Sequence, residues 1–320
     1  GFTVTGNDDN NYALTFAAVT AQITARTTEV TFTAENKVYD GTRTATVSGF
    51  TFSNLVGNDI LEMAAATASF AEARAGEWDV TIDDGFTVTG NDDSNYAIVF
   101  APVKASITAK AIAAGFTADD KVYDGTTAAT VRDFVFEGVV AGDALTMAAV
   151  TASFAEAKVG EWLVTIDGFT VTGNDDGNYA IGFSGNVTAS ITAKAITVGF
   201  TADDKVYDGN AIATVHDFVF PGIVEGDALG VTATAQFAEI KVGEWAVTID
   251  DGFTVTGNDD NNYALTFAAV TAQITARTTE VTFTAENKVY DGTRTATVSG
   301  FTFSNLVGND ILEMAAATAS

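Results

Sequence analysis

The pentapeptide Lys-Val-Tyr-Asp-Gly occurs four times in this chain, at Lys37–Gly41, Lys121–Gly125, Lys205–Gly209 and Lys288–Gly292. Successive copies are separated by 84, 84 and 83 residues. A second stretch keeps the same interval: Gly-Phe-Thr-Val-Thr-Gly-Asn-Asp-Asp, one variable residue, then Asn-Tyr-Ala, starting at Gly1, Gly85, Gly168 and Gly252. A period of this size, kept this strictly, indicates a tandem array of small domains.

The period divides the 320 residues into five segments: the end of one module (1–26), three full modules (27–110, 111–194 and 195–277) and the start of another (278–320). Each joint reads Ile-Thr-Ala-Arg or Ile-Thr-Ala-Lys and is followed directly by a new apolar run. Because no Gly/Ser-rich or Pro-rich spacer separates the modules, we expect stiff connections.

Residues 1–69 are identical to residues 252–320. We therefore expect the chain to be part of a longer repetitive protein. An incomplete sandwich exposes strand edges, so either the array continues or neighbouring chains complete the partial modules.

The composition argues against several functions. The net charge is −27, with 42 acidic and 15 basic residues, which opposes binding to nucleic acid or to an anionic membrane. No apolar run approaches the length of a membrane span. With no cysteine and a single histidine, His216, a nucleophile–base pair is nearly excluded, and we expect no enzyme. Arg132 occupies the matching position one module earlier, so we expect His216 to be a surface residue.

The dominant period within a module is two, which is typical of half-buried strands. Trp162, Val164 and Ile166 form one face of a predicted strand. Leu163 lies on the other face, where the other modules have Asp79 and Ala246, so that face is expected to be solvated. Glycine, Asn and Asp separate about eight short strands per module. This pattern predicts an all-β tandem array of antiparallel β-sandwich modules, either Ig-like or β-grasp-like, that form an extended rod or filament.

Two alanine-rich segments, 63–68 and 147–152, have helix-forming composition. The equivalent segment of the third module, Val231–Ala235, alternates instead. We therefore predict strands at all three positions.

Several motifs together resemble the YDG-type repeat domain of large bacterial surface adhesins and filamentous-haemagglutinin-like proteins. They are Lys-Val-Tyr-Asp-Gly-Thr, the Val-Gly-Glu-Trp turn at Val159–Trp162, Asp-Asp-x-Asn-Tyr-Ala and the closing Ile-Thr-Ala-Lys. The resemblance covers every full module and both partial ones. It implies an all-β extracellular module used in tandem on the bacterial cell surface, with no catalytic residues.

The resemblance and the repeats together predict a stiff stalk or fibre that acts in cell adhesion or in matrix and biofilm formation. Its expected partners are copies of itself and a host or matrix surface. The alternative is that each module binds carbohydrate or protein, which a repeated cluster of exposed aromatic side chains would indicate.

The acidic turns contain the candidate metal ligands. Calcium takes six to eight oxygen ligands, and carboxylate-rich loops supply them. The candidates are Asp92, Asp93, Asp175, Asp176, Asp259 and Asp260. The alternative interpretation is that these residues only form solvated turns.

Two further sets of residues recur in every module. The pentapeptide tyrosines are expected to be core residues whose hydroxyls bond a neighbouring strand, with ligand stacking as the alternative: Tyr39, Tyr123, Tyr207 and Tyr290.

The second set is a lysine such as Lys37, an asparagine such as Asn95 and a glutamate such as Glu77. The lysine and the asparagine could form a covalent bond, assisted by the glutamate, if the lysine were buried and neutral. The alternative is an edge lysine and a turn asparagine.

Overall fold

The computed structural model describes residues 2–6, 10–314 and 317–320. These residues form strands and turns and no helix, which confirms the all-β prediction. None of them forms a helix long and apolar enough to cross a membrane. The chain divides into two compact units, one of residues 1–115, 134–149 and 170–184 and one of residues 116–133, 150–169 and 185–320.

The strands are numbered in chain order. Residues 26–108 form ten: β1 (Arg26–Ala34), β2 (Lys37–Val38), β3 (Thr44–Ala45), β4 (Val47–Phe52), β5 (Glu62–Ala65), β6 (Ala68–Phe70), β7 (Gly76–Ile82), β8 (Thr87–Thr89), β9 (Tyr96–Phe100) and β10 (Val103–Thr108). Residues 110–192 form eight: β11 (Lys110–Ala118), β12 (Lys121–Val122), β13 (Ala128–Ala129), β14 (Val131–Glu137), β15 (Thr146–Phe154), β16 (Gly160–Thr172), β17 (Tyr179–Phe183) and β18 (Thr188–Thr192).

The remaining strands repeat this order. Residues 194–275 form ten: β19 (Lys194–Ala202), β20 (Lys205–Val206), β21 (Ile212–Ala213), β22 (Val215–Val219), β23 (Gly230–Thr232), β24 (Ala235–Phe237), β25 (Gly243–Ile249), β26 (Thr254–Thr256), β27 (Tyr263–Phe267) and β28 (Val270–Thr275). The described residues after Thr275 contain β29 (Val281–Ala285), β30 (Ala296–Phe303) and β31 (Thr318–Ala319).

Each full module is built from the same sheets. In the first, β4-β1-β9 form one sheet, β2-β10-β7-β6-β3 form a second, and β5 pairs with β8. The third module repeats this order with β22-β19-β27, β20-β28-β25-β24-β21 and the pair β23–β26. Most ladders are antiparallel, but β1–β9 and β2–β10 are parallel, and so are their equivalents β11–β17 and β12–β18. Side-chain alternation could not show this, because both ladder types have the same period.

The core of the first module lies between its two sheets. Phe32 of β1 and Phe70 of β6 belong to the same buried cluster as Val80 and Ile107. Val80 is buried on β7, whereas Asp79 beside it is exposed, as the alternation predicted. The sandwich prediction is therefore confirmed.

The alanine-rich segments are mostly strand, as predicted, although Ala66 and Thr67 lie between β5 and β6 and outside both. Glu62–Ala65 forms β5, and Thr146–Phe154 forms the continuous strand β15. In the second module, β15 and β16 are continuous where the first and third modules have two shorter strands each, which accounts for its lower strand number.

Candidate functional site at the joint between modules

The aspartate of the pentapeptide organises its own turn. Thr42 donates from its N–H and its hydroxyl to Asp40 Oδ1, at 2.9 and 2.8 Å, and Lys37 Nζ lies 2.7 Å from the same oxygen. Partial burial opposes ionisation of Asp40, but the hydrogen bonds from Lys37 and Thr42 outweigh it and lower the pKa of the carboxyl. The pKa values of the equivalent aspartates are also lowered: Asp124, Asp208 and Asp291.

The glycine of the pentapeptide meets both a backbone and a packing requirement. Gly41 has φ +77°, in the left-handed region that side chains disfavour. A Cβ at Gly41 would lie 3.0 Å from Cγ1 of Val140, which belongs to the next module. The same approach is 2.8 Å between Gly125 and Val224, and 2.8 Å between Gly209 and Val307. The turn therefore packs directly against the following module.

The tyrosine of the pentapeptide binds a carboxylate of the following module. Tyr39 is 7% exposed, and its hydroxyl donates to Asp143 Oδ2 at 2.9 Å. Tyr179 donates to the same oxygen at 2.5 Å. The rings of Tyr39 and Tyr179 meet edge to face, with centroids 5.4 Å apart. One carboxylate oxygen thus accepts a tyrosine hydroxyl from each of two consecutive modules.

The second and third modules meet in the same way. Tyr123 and Tyr263 donate to Asp227 Oδ2 at 2.9 and 2.6 Å, and their ring centroids are 5.5 Å apart. Tyr207 donates to Asp310 Oδ2 at 3.1 Å. The expectation of core tyrosines holds for Tyr39 and Tyr123, but their hydroxyl partner is an aspartate of the next module and not a neighbouring strand.

The tyrosine pKa values reflect this environment. Burial, followed by the hydrogen bond to Asp143, raises the pKa of Tyr39 to about 12. Burial and the hydrogen bond to Asp227 raise the pKa of Tyr263 to about 12 as well. In both cases a buried site beside a carboxylate disfavours the phenolate. The tyrosines therefore stay neutral donors across the physiological pH range.

The Asn-Asp-Asp-x-Asn-Tyr stretch supplies the other side of the joint. The Asn174 side chain makes two hydrogen bonds to the Tyr179 backbone. Its Oδ1 accepts from the Tyr179 N–H at 2.8 Å, and its Nδ2 donates to the Tyr179 carbonyl at 2.9 Å. The Tyr179 hydroxyl accepts from Val140 N–H at 2.9 Å. Asn178 Oδ1 accepts from the N–H of Ala75, in the preceding module, at 2.7 Å. At the next joint, Val159 N–H donates to Asn262 Oδ1 at 2.9 Å.

Ion pairs lie at the rim of these joints. Arg74 pairs with Asp176 at 3.1 Å, and Lys158 lies 3.8 Å from Asp260. Exposed pairs of this kind contribute at most about 1 kcal/mol. The buried tyrosines and the apolar contacts therefore stabilise the joint more than the ion pairs do.

Apolar packing is continuous across the first joint. Ile112 and Tyr179 of the second module belong to the same buried cluster as Phe32, Phe70 and Ile107 of the first. Consecutive modules therefore share core contacts at the joint as well as hydrogen bonds.

The candidate calcium ligands are all exposed. Asp176 and Asp260 are engaged by basic residues of the preceding module. Among the described residues, no group of three or more acidic or histidine side chains is placed to hold a metal ion. Calcium binding by Asp92, Asp93, Asp175, Asp176, Asp259 and Asp260 stays a prediction, and an unchanged melting temperature after chelation would contradict it.

The recurring lysine and asparagine have separate partners. Lys37 Nζ donates to the carbonyls of Thr42 and Thr44 at 2.9 and 3.1 Å and lies 5.8 Å from the centre of the Phe70 ring. These contacts, together with Asp40, solvate a charged ammonium. A covalent Lys–Asn bond needs a neutral amine, so this geometry favours the turn interpretation.

His216 lies on the surface, as expected, between two carboxylates. Its Nε2 is 3.0 Å from Asp203, and its Nδ1 is 2.8 Å from Asp217. Arg132 makes the equivalent contacts with Asp119 and Asp133 one module earlier. The hydrogen bonds to Asp203 and Asp217 raise the pKa of His216.

The aspartate that accepts the tyrosine hydroxyls is not among the residues predicted from the sequence. Asp59, Asp143, Asp227 and Asp310 recur at intervals of 84, 84 and 83 residues, which are the intervals of the pentapeptide itself. Each follows a valine by three positions and precedes a leucine by two. The shared period could have pointed to these aspartates as joint residues. However, an aspartate in a solvated turn would recur with the same period.

The two-sheet modules and their repeated joints define a tandem β-sandwich repeat protein. The family model described as "YDG domain" matches residues 24–105, 107–189 and 192–272, so the chain belongs to the YDG domain family. A comparison with curated proteins gave no match.

Two solved structures show a weak likeness. The I9–I11 tandem from titin is 11% identical, covers 78% of this chain and 100% of its own, and has a TM-score of 0.20. Drosophila N-cadherin EC1-3 is 7% identical, covers 77% of this chain and 98% of its own, and has a TM-score of 0.19. At these TM-scores we draw no conclusion from either.

Proposed function

We propose that this chain is a structural segment of an extracellular bacterial surface adhesin or filament, in which tandem modules form a stiff stalk or fibre. The observation that carries this proposal is the shared carboxylate at the joint. Asp143 accepts hydroxyls from Tyr39 and Tyr179, and Asp227 accepts them from Tyr123 and Tyr263.

The physical argument concerns bending. A hinge at the joint would have to break a buried hydrogen bond to a carboxylate, separate two aromatic rings and expose apolar surface. Each of these changes costs free energy. This cost supports the proposal that each module keeps one orientation relative to its neighbour.

The location and the partners are part of the same proposal. YDG domains in tandem support a mechanical role, and the resemblance of their motifs to surface adhesins supports a location outside the cell. We propose other copies of the chain and a host or matrix surface as partners, with function in adhesion or in matrix formation. Carbohydrate or protein binding by each module stays the alternative prediction.

Small-angle X-ray scattering of the whole chain tests the stalk proposal. We expect an elongated distance distribution that shifts to shorter distances when the joint is weakened by Tyr123→Phe together with Asp227→Asn, because a joint that bends brings the ends of the chain closer. Tyr290→Phe is the matched control, because Tyr290 is 93% exposed. A distance distribution typical of a compact globule would contradict the proposal. So would a distribution that is the same with and without the joint substitutions.

A further inference from the structure

Each of the two tyrosine pairs at the joints converges on a single carboxylate oxygen. The rings of Tyr123 and Tyr263 have centroids 5.5 Å apart and an interplanar angle of 80°, and both hydroxyls donate to Asp227 Oδ2, at 2.9 and 2.6 Å. Tyr39 and Tyr179 repeat this arrangement one module earlier, with centroids 5.4 Å apart. The ring edges that carry the hydroxyls are therefore held close together.

This arrangement matches the product of oxidative tyrosine coupling. In that product a C–C bond joins the ortho carbons of two phenols, and the two hydroxyls lie side by side on one edge. Two hydroxyls so placed can still donate to one carboxylate oxygen. Directly bonded rings have centroids somewhat closer than those of Tyr123 and Tyr263, so a small movement of the side chains brings two ortho carbons together.

Asp227 is placed to accept a proton during such a reaction. Burial and the hydrogen bond to Asp227 raise the pKa of Tyr263 to about 12, and the same two causes raise the pKa of Tyr123. Both tyrosines are therefore neutral before oxidation, and each must lose a proton as well as an electron. Since removal of an electron makes a phenol strongly acidic, the hydrogen-bonded carboxylate takes that proton.

Burial favours coupling within the pair. Tyr123 and Tyr263 are 7% and 4% exposed, so radicals formed there meet each other more readily than they meet solvent or a second chain. The electron leaves each ring by transfer through the few atoms that cover it.

We propose that radical oxidants derived from hydrogen peroxide couple Tyr123 to Tyr263, and Tyr39 to Tyr179, and so join consecutive modules covalently. Each tyrosine gives one electron to an oxidant and its hydroxyl proton to the carboxylate, and the two phenoxyl radicals form one C–C bond between ortho carbons. Each ring then transfers its ortho hydrogen, as a proton, to its oxygen, which restores the phenol. In balance, two electrons pass to oxidant and two protons pass through the carboxylate to solvent.

The cross-link closes a long loop. The two tyrosines of each pair are 140 residues apart in the sequence. A bond of this kind restricts the unfolded chain, and the restriction grows with loop length. The oxidised chain should therefore keep its joints closed at urea concentrations that open them in the unoxidised chain.

Peptide mapping after photo-oxidation of the full chain tests the inference. Photoexcited ruthenium tris-bipyridine with persulfate supplies the one-electron oxidant, and monomeric chain is recovered from a denaturing gel before digestion with trypsin. We expect a cross-linked species that joins residues 122–132 to residues 242–277 and lacks two hydrogen atoms, with the fluorescence of dityrosine.

Two tyrosine variants separate this coupling from other oxidation. Tyr123→Phe should remove the species at its own joint and leave the Tyr39–Tyr179 species, which reports that the rest of the chain is folded. Tyr290→Phe changes a tyrosine that is 93% exposed, so both species should remain. This variant also assigns the first joint unambiguously, because residues 38–43 and 289–294 are identical.

A second pair of variants tests the carboxylate. Asp227→Asn keeps both rings but removes the proton acceptor, so coupling of Tyr123 to Tyr263 should slow several-fold. Asp59→Asn is the matched control, because Asp59 accepts from Tyr96 and belongs to neither pair. It should leave the rate unchanged.

The inference is overturned if oxidised monomer contains neither cross-linked species, or if dityrosine forms only between different chains. Equal coupling rates in the unaltered chain and in Asp227→Asn would overturn the role of the carboxylate. The inference does not depend on the stalk proposal. An elongated chain that does not couple would contradict only the inference, and a compact chain that couples would contradict only the stalk.

Discussion

Within the Lys-Val-Tyr-Asp-Gly pentapeptide, the residues serve two different modules. Lys37 and Asp40 stabilise their own turn through a 2.7 Å contact. Tyr39 and Gly41 contact the next module, at Asp143 and Val140. This division explains why the whole pentapeptide repeats as a block: the turn sets the positions from which the tyrosine and the glycine reach the joint.

The hydroxyl of the joint tyrosine should contribute measurably to stability. Tyr123→Phe removes the 2.9 Å hydrogen bond to Asp227 and keeps the ring packing. Since Asp227 retains the bond from Tyr263, we expect a loss of about 1 kcal/mol in the free energy of unfolding, measured by urea denaturation. The same change at Tyr290, which is 93% exposed, should have no measurable effect. Equal losses at both positions would place the effect outside the joint.

A side chain in place of the joint glycine should lower the free energy of unfolding. Gly125 and Gly292 have nearly the same φ, +78° and +77°, but only Gly125 has a neighbour near its Cβ position, Val224 Cγ1 at 2.8 Å. Both Gly→Ala changes carry the backbone strain, and Gly125→Ala adds overpacking of about 1–3 kcal/mol.

A double-mutant cycle isolates that contact. Val224→Ala removes the clashing methyl groups, so Gly125→Ala should cost less in the Val224→Ala background than in the original chain. Urea denaturation of the four proteins gives the coupling energy. A coupling energy of zero would mean that the next module does not constrain this glycine.

At the scale of the strands, the sequence predicted the faces well and the pairings poorly. Alternation placed Val164 in the core and Leu163 in solvent, and both assignments hold, since each follows from local polarity. The parallel ladder of β1 with β9 joins residues 70 positions apart, and no local pattern carries that information.

The joint shows the same limit. The turn chemistry of Asp40 and Gly41 could be predicted because it involves adjacent residues. The partner of Tyr39 could not, because Asp143 lies 104 positions away and looks like any turn aspartate.

The stability of the antiparallel β19–β22 ladder should depend on pH near neutrality. His216 lies between Asp203 and Asp217, which raise its pKa. The stability contributed by the protonated ring is fully present below the unfolded pKa of about 6.5 and is lost as pH rises through the raised folded value. We expect the melting temperature of the chain to fall over that window.

The second module provides the control for this ladder. Arg132 makes the equivalent contacts and stays charged throughout. His216→Arg should therefore remove the pH dependence of the melting temperature near neutrality. A variant that keeps the dependence would assign it to groups other than His216.

At the scale of the whole molecule, contacts at the joints should make the stability of each module depend on its neighbours. The apolar cluster that joins Phe32 and Phe70 to Ile112 and Tyr179 crosses the first joint. Modules linked in this way stabilise one another, as neighbouring repeats do in other arrays. Loss of one joint should therefore weaken the modules on both of its sides.

The joint tyrosines give the whole chain a characteristic alkaline limit. Burial and the neighbouring carboxylates raise the pKa values of Tyr39 and Tyr263 to about 12, from 10.0 for a free side chain. A neutral tyrosine is favoured in the folded state, so its contribution is fully present below pH 10 and is lost as pH rises toward 12. We expect the urea midpoint to fall across that interval, together with a late rise in phenolate absorbance. The double variant Tyr39→Phe and Tyr263→Phe should start from a lower midpoint and fall less steeply, because two of the groups that link folding to alkaline pH are gone. Parallel curves for the two proteins would show that lysine deprotonation or general charge repulsion, and not the joints, sets the alkaline limit.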